Sequence, residues 1–201
     1  ELRDWEGDLG LLETSEFGTC SSFDVVLQTT TVQDVTINLA PNDDTEAFVT
    51  CFNFFGHTGG PGANGSYSLT LAAGSSLEWC FACGVDDNLA DGDISYEIGA
   101  TVTSADANYD GFAVTPLPGL NVDNDTPSIT VTPATASRNE GTDSGRNYRI
   151  QLSTPPTDDV VINVSTTDNT EVTLGDTSCT NRTNNCTTDT IQVTIPAGAT
   201  D

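Results

Sequence analysis

The chain has 201 residues, enough for one large or two ordinary domains with a real core. Thirty Asp and Glu against five Arg, with no Lys, leave a net charge of −25. Such a surface repels phosphate backbones and anionic membranes, which excludes nucleic-acid and lipid partners and makes cations, above all Ca²⁺, the natural ones. No apolar run approaches the roughly 18 residues that span a bilayer, so no membrane insertion is expected. The chain contains no Met, so Glu1 is not read as a translational start, and a leader or longer upstream chain is expected before it. Its polarity comes from Thr, Ser, Asn and Gly, which favours strands over helices.

Residues 1–22 form an N-terminal segment, expected to be an inter-subunit contact or a donated strand. Within it residues 3–7 include Asp4, Glu6 and Gly7 and read poorly as a strand. A first sandwich is expected over 23–126. Phe23, Val25 and Leu27 alternate with polar residues and line one face of a strand, and Val35, Ile37 and Leu39 line one face of the next. Leu69 with Leu71, then 77–85, 94–102 and 114–122, supply further strands. His57 lies in a Gly-rich segment that reads as a surface loop, and Phe52, Phe54 and Phe55 alternate imperfectly, as a run only partly in the core.

The chain repeats itself. Phe23-Asp-Val-Val-Leu and Val35-Thr-Ile-Asn-Leu align with Tyr148-Arg-Ile-Gln-Leu and Val160-Val-Ile-Asn-Val at an offset of 125. Asp43, Thr45 and Glu46 then fall on Asp168, Thr170 and Glu171, and residues 69–74 on 193–198. The second copy, 127–201, opens with a good strand near Ser128 but stops at the point after which the first copy has three more strands. The predicted architecture is all-β: immunoglobulin-like sandwiches, one complete or nearly so and one partial that needs strands from a neighbour.

Six cysteines suggest an oxidising, extracytoplasmic compartment. Cys179 and Cys186 bracket a short polar loop that a local disulfide would close. Cys80 and Cys83 read as a redox or zinc knuckle, or as two half-cystines. Residues three apart on a strand point to opposite faces, which favours bonds to Cys20 and Cys51, in an order left open. Sequons mark Asn64, Asn124, Asn163, Asn181 and Asn185; Asn64, Asn181 and Asn185 are the glycosylation candidates, and the Thr run at 29–31 is a place for O-linked sugars.

Carboxylates carry the most distinctive chemistry. Asp86, Asp87, Asp91 and Asp93 crowd around Gly92 at the exit of a strand, and Asp123 and Asp125 sit at the junction between copies. A hard cation with six to eight oxygen ligands would hold such groups together; a solvated acidic loop is the other reading. Asp106, Asn108 and Asp110 have the spacing of half an EF-hand loop, but position twelve is Leu117, so a plain turn is the stronger reading. One His, no Lys and no Gly-x-Ser-x-Gly offer no nucleophile and base pair, and no enzyme is expected.

These motifs together resemble the Calx-β-like repeats of large secreted bacterial proteins. The resemblance rests on Val85-Asp-Asp-Asn-Leu-Ala-Asp-Gly-Asp93, on Thr103-Ser-Ala-Asp-Ala-Asn-Tyr-Asp-Gly-Phe112, on Val122-Asp-Asn-Asp-Thr-Pro127 and on the Pro-Ala-Gly-Ala turn near the end, and covers most of residues 11–201. It implies a seven-stranded sandwich that often binds Ca²⁺ at one end and stacks in tandem; it does not imply catalysis. It also implies a further ligand before Phe23, either Glu13 or Glu16, matched by Glu140 in the second copy. Departures are the poor first strand, four cysteines in copy one, the missing half of copy two, and Asp91 where Glu is common.

Charge has a polarity as well. Residues 1–127 hold 21 acidic and 1 basic residue, and residues 128–201 hold 9 and 4. The function expected is a structural protomer of an extracellular filament or pilus-like fibre. Copies would join head to tail by strand complementation, with calcium stiffening and surface glycans as a further partner. The alternative is a fragment of a giant tandem-repeat calcium-dependent surface adhesin. An accessory binding module of a secreted enzyme is weaker, since no aromatic platform is evident.

Overall fold

The computed structural model describes residues 1–4, 10–52, 57–137, 146–175 and 189–201. The expectations for Glu140, Cys179, Cys186, Asn181, Asn185, Phe54 and Phe55 lie outside these. All regular structure among the described residues is strand, in the order β1 (Leu2–Asp4), β2 (Leu12–Ser15), β3 (Cys20–Val26), β4 (Val35–Pro41), β5 (Ala47–Cys51), β6 (Thr58–Pro61), β7 (Tyr67–Leu71), β8 (Leu77–Gly84), β9 (Ile94–Ser104), β10 (Leu117–Val122), β11 (Ile129–Thr132), β12 (Arg149–Leu152), β13 (Val160–Ser165) and β14 (Thr190–Ile195). The chain is thus an all-β protein. It divides into two compact units, Glu1–Asp87 with Asp91–Asp125, and Asn88–Ala90 with Thr126–Asp201.

The first unit is a sandwich. One sheet has the order β1-β3-β8-β5 and the other β2-β10-β9-β4-β7-β6. Alternation drives it: Phe23 and Val25 of β3, Val49 of β5 and Ala82 of β8 face Val35, Ile37 and Leu39 of β4, Leu69 and Leu71 of β7, and Tyr96 and Ile98 of β9 across one core. The opening segment, read from sequence as a poor strand, forms β1. Leu2 is the reason: it is buried in the core cluster, and its backbone pairs with Val25 of β3. β2 then crosses to the other sheet and pairs in parallel with β10, Leu12 opposite Gly119 and Ser15 opposite Val122. Residues 1–22 therefore supply two strands to their own sandwich.

The register of β8 decides the disulfide order. Its partner β3 places Cys20 opposite Cys83, and its partner β5 places Cys51 opposite Cys80. Cα atoms in these pairs stand 4.0 and 3.9 Å apart, and both disulfides are formed. Cys51–Cys80 lies within the core cluster; Cys83, three residues on, falls by alternation on the opposite face.

The second unit contains two two-stranded antiparallel sheets among its described residues, β11-β12 and β13-β14. Local hydrogen bonds repeat those of the first unit. Ala73 N donates to Asp34 Oδ1 and Ala197 N to Asp159 Oδ1, at 2.9 and 3.0 Å. Leu27 N donates to Ser76 O and Leu152 N to Thr200 O, both at 2.8 Å, and Gly74 N to Thr31 O and Gly198 N to Pro156 O, at 3.0 and 2.9 Å.

Candidate metal centre

Several carboxylates of the first unit, among them Glu16, Asp123 and Asp125, come together where β2 and β10 end. β2 ends at Ser15, and in the turn that follows Glu16 N donates to Val122 O, so the Glu16 side chain arrives beside the exit of β10. There the chain turns: Asp125 N donates to Asp123 Oδ1 at 2.6 Å, and Asn124 N donates to Glu16 Oε2 at 3.0 Å. The loop between β8 and β9 is tied to the same place. Asp123 N donates to Asp93 Oδ1, Gly92 N to Asp123 Oδ2, and Asn124 Nδ2 to Asp86 Oδ1. Each of Glu16, Asp123 and Asp125 offers a carboxylate oxygen, all within 4.8 Å of one another.

A second group of three, Glu46, Asp87 and Asp91, satisfies the same spacing. Glu46 follows a tight turn in which Thr45 donates from both N and Oγ1 to Asp43 Oδ1. Two oxygens bound to one Ca²⁺ stand at most about 5 Å apart, twice an ordinary Ca–O distance. Both groups meet that limit.

Burial and mutual charge together set the acidity of these groups. Burial pushes the Glu16 carboxyl above its usual range; the Asn124 N–H opposes this, and the charges of Asp123, Asp87 and Asp125 add to it. Burial likewise raises Glu46, opposed by its bond from Asn121 and reinforced by Asp91, Asp43 and Asp87. Asp125 is raised by desolvation and then by Asp123, Asp86, Asp87 and Asp91. Ionised groups at this spacing repel one another. Asp125 Oδ2 is buried and accepts no hydrogen bond from the described residues. The ion pairs of Arg3 and Arg149 go elsewhere, to Asp24 and Asp201. An oxygen-only, anionic donor set with an orphaned carboxylate oxygen fits a hard divalent cation.

Between the two Glu left open in sequence, the structure places Glu16 in the group, whereas Glu13 is exposed on β2 between buried Leu12 and Thr14. Glu46 was not among the sequence candidates, although the repeated Asp-x-Thr-Glu pattern contained it. Asp106, Asn108 and Asp110 are used within their own turn: Asp106 Oδ1 accepts from Asn108 N and Nδ2, and Asp110 Oδ1 from Ser104 N. Asn64 is exposed at a tight turn. His57 is not the surface residue expected. It is buried, with Nδ1 2.6 Å from Glu78 Oε2, because the alternation of β8 turns Glu78 inward with Cys80 and Ala82, where a carboxylate needs a polar partner.

No family model matches the sequence, and no curated protein matches it. Among solved structures, the chain is similar to the calcium-binding domain CBD12 of CALX1.1, with 12% identity, a TM-score of 0.40, and coverage of 100% of this chain and 73% of that one. CBD12 from CALX1.2 is similar at 11% identity and a TM-score of 0.38, covering 100% of this chain and 71% of that one. So is the sixth cohesin from scaffoldin B of Acetivibrio cellulolyticus, crystallised with a Cel5 dockerin mutant, at 12% identity and a TM-score of 0.37, covering 56% of this chain and 93% of that one.

Proposed function

We propose that this chain is a structural module of an extracellular fibre: a calcium-braced sandwich followed by a second sandwich completed by strands from a neighbouring copy. One observation carries the fibre reading. On the inner face of β13 and β14 Ile195 is buried, but Val160, Ile162, Val164, Ile191 and Val193 are only half-buried. The equivalent Val35, Ile37, Leu39 and Leu69 in the first unit are buried in its core. In the first unit β8, β9 and β10 help to cover that core. Covering such a face contributes up to about 1.5–3 kcal/mol for each fully buried aliphatic side chain, and added strands also satisfy the open sheet edge. A contact of this kind between unlike faces propagates as a filament.

The two disulfides support an oxidising, extracytoplasmic setting. Calcium would be held by Glu16, Asp123 and Asp125 and by Glu46, Asp87 and Asp91, where it would neutralise the repulsion between strand ends. The role is structural, without catalysis. Since β1 and β2 already complete the first sandwich from within the chain, the acceptor is the second unit alone.

Negative-stain microscopy combined with denaturing mass measurement tests the fibre. Ordered fibres built of chains of about 21 kDa support the protomer; one very long chain supports instead a tandem-repeat adhesin whose next repeat covers the face. A stable monomer with a fully protected second unit overturns strand complementation. For calcium, heat is expected when Ca²⁺ is titrated into chelator-stripped protein, and is expected to fall after Asp86→Ala with Asp87→Ala. No heat from the parent ends that reading.

A second reading has its own observation. Phe48, Phe52 and Trp79 are exposed on the outer side of the sheet carrying β5 and β8, with Phe52 edge-on to Phe81 at 5.2 Å. Such rings suit a neutral glycan in an accessory binding module. Loss of glycan-array binding on Trp79→Ala would favour it.

A further inference from the structure

We propose that Asn121 positions Glu46 for metal binding and that Thr14 and Tyr96 hold Asn121 in place, an inference that rests on the calcium reading of the carboxylate cluster. The alternation of β10 turns Leu117, Gly119 and Asn121 inward, so an amide stands where the pattern calls for an apolar side chain. Thr14, Tyr96 and Asn121 are all fully buried, and burying them costs free energy unless each is hydrogen-bonded.

Their bonds form one directed chain. Asn121 Nδ2 donates to Glu46 Oε2 and to Val85 O, both at 3.2 Å. A carboxylate and a carbonyl only accept, so the amide nitrogen must face them and Oδ1 must face the other way. There Thr14 Oγ1 donates to it at 3.1 Å, with Leu120 O at 3.3 Å as a competing acceptor, and Tyr96 O–H donates to Thr14 Oγ1 at 3.3 Å. Two glycines make room for the chain. A Cβ at Gly84 would stand 2.4 Å from Asn121 Oδ1 and 2.3 Å from Ser15 O, and one at Gly119 would stand 2.3 Å from the Tyr96 ring.

The chain ends on the metal group. Glu16 is oriented by a backbone N–H, that of Asn124, whereas Glu46 is oriented by a side chain that can be changed without altering the backbone. A positioning residue of this kind governs affinity by fixing which way the ligand carboxylate faces before the ion arrives.

The test is calorimetric Ca²⁺ titration of the full chain after chelation, with circular dichroism as the folding check. Asn121→Ala is expected to weaken binding about 10- to 100-fold, the range for residues that orient a ligand. Thr14→Val is expected to weaken it less, and Thr14→Ser, which restores the hydroxyl, to return it to the parent value. In a Glu46→Gln background Asn121→Ala should cause no further loss. Parent affinity in Asn121→Ala, or a full additional loss in the Glu46→Gln background, overturns the proposal. If Asn121→Ala does not fold, the Thr14 pair decides: Thr14→Val at parent affinity overturns it, and loss rescued by Thr14→Ser supports it. A parent chain that takes up no Ca²⁺ removes the calcium reading and this inference with it.

Discussion

Leu2 and Val131 occupy equivalent places in the two units. Each pairs antiparallel with a repeat-equivalent residue, Val25 in one case and Ile150 in the other. Yet Leu2 is 2% exposed and Val131 45%. The same contrast runs through the hairpins: β4 and β7 bury their inner faces, while β13 and β14, with the same register and the same turn hydrogen bonds, bury Ile195 but leave Val160, Ile162, Val164, Ile191 and Val193 half open. Local structure is thus specified by local sequence, while burial depends on strands that come from far along a chain or from another one.

The sharpest break of this comparison is a pair of core truncations. Ile37→Ala is expected to destabilise the first unit by about 2–5 kcal/mol, and the equivalent Ile162→Ala by about 1 kcal/mol in dispersed chains. Hydrogen exchange resolved to each unit reads both. If Ile162→Ala costs as much as Ile37→Ala without assembly, the second unit has a covered core and the comparison fails. Next comes the core disulfide. Replacing Cys51 and Cys80 by Ala should lower the urea stability of the first unit by about 2–4 kcal/mol and leave exchange in β13 and β14 unchanged.

Acidity should separate the units in sign. Glu16 and Glu46 have folded-state pKa values above the usual 4.5 of a Glu carboxyl, so the folded first unit holds their protons more tightly than the unfolded chain does. Without metal, its stability is therefore expected to fall as pH rises from about 4.5 through those raised values, a change of a few degrees in Tm. Asp168 in the second unit is lowered, first by the Thr170 hydroxyl and then by the Thr170 N–H. Its contribution is present above 3.8 and lost as pH falls. Chelated samples melted from about pH 2 to 8 check both signs, and saturating Ca²⁺ should abolish the loss in the first unit. The smallest effect expected is on the shared turn: Thr45→Ala and Thr170→Ala should each cost about 0.5–1.5 kcal/mol, but only Thr45→Ala should also weaken Ca²⁺ uptake. Equal Ca²⁺ affinity in the two variants would sever Glu46 from the site.

Much of this was legible from the chain alone. Period-two alternation at Phe23, Val25, Val35, Ile37 and Tyr96 marks strands because it reflects which way neighbouring side chains point, a property of a few residues. The repeat at 125 residues announced matching turns, and the clustering of Asp86, Asp87, Asp91 and Asp93 announced an acidic loop, of which Asp87 and Asp91 come together with Glu46. Short strands escaped. Leu2–Asp4 has one anchoring apolar residue, and its strand exists only because β3 is there to pair with it.

The amino-acid sequence by itself determined the strand faces, the internal duplication and the acidic end of the first copy, since each depends on residues close along the chain. Only the tertiary structure decided that Glu16 and Glu46 join the cluster, that Cys20 meets Cys83 and Cys51 meets Cys80, and that His57 goes inside beside Glu78. Each of these is set by the register between strands distant in the chain, and a shift of one residue would turn every one of those side chains to the other face.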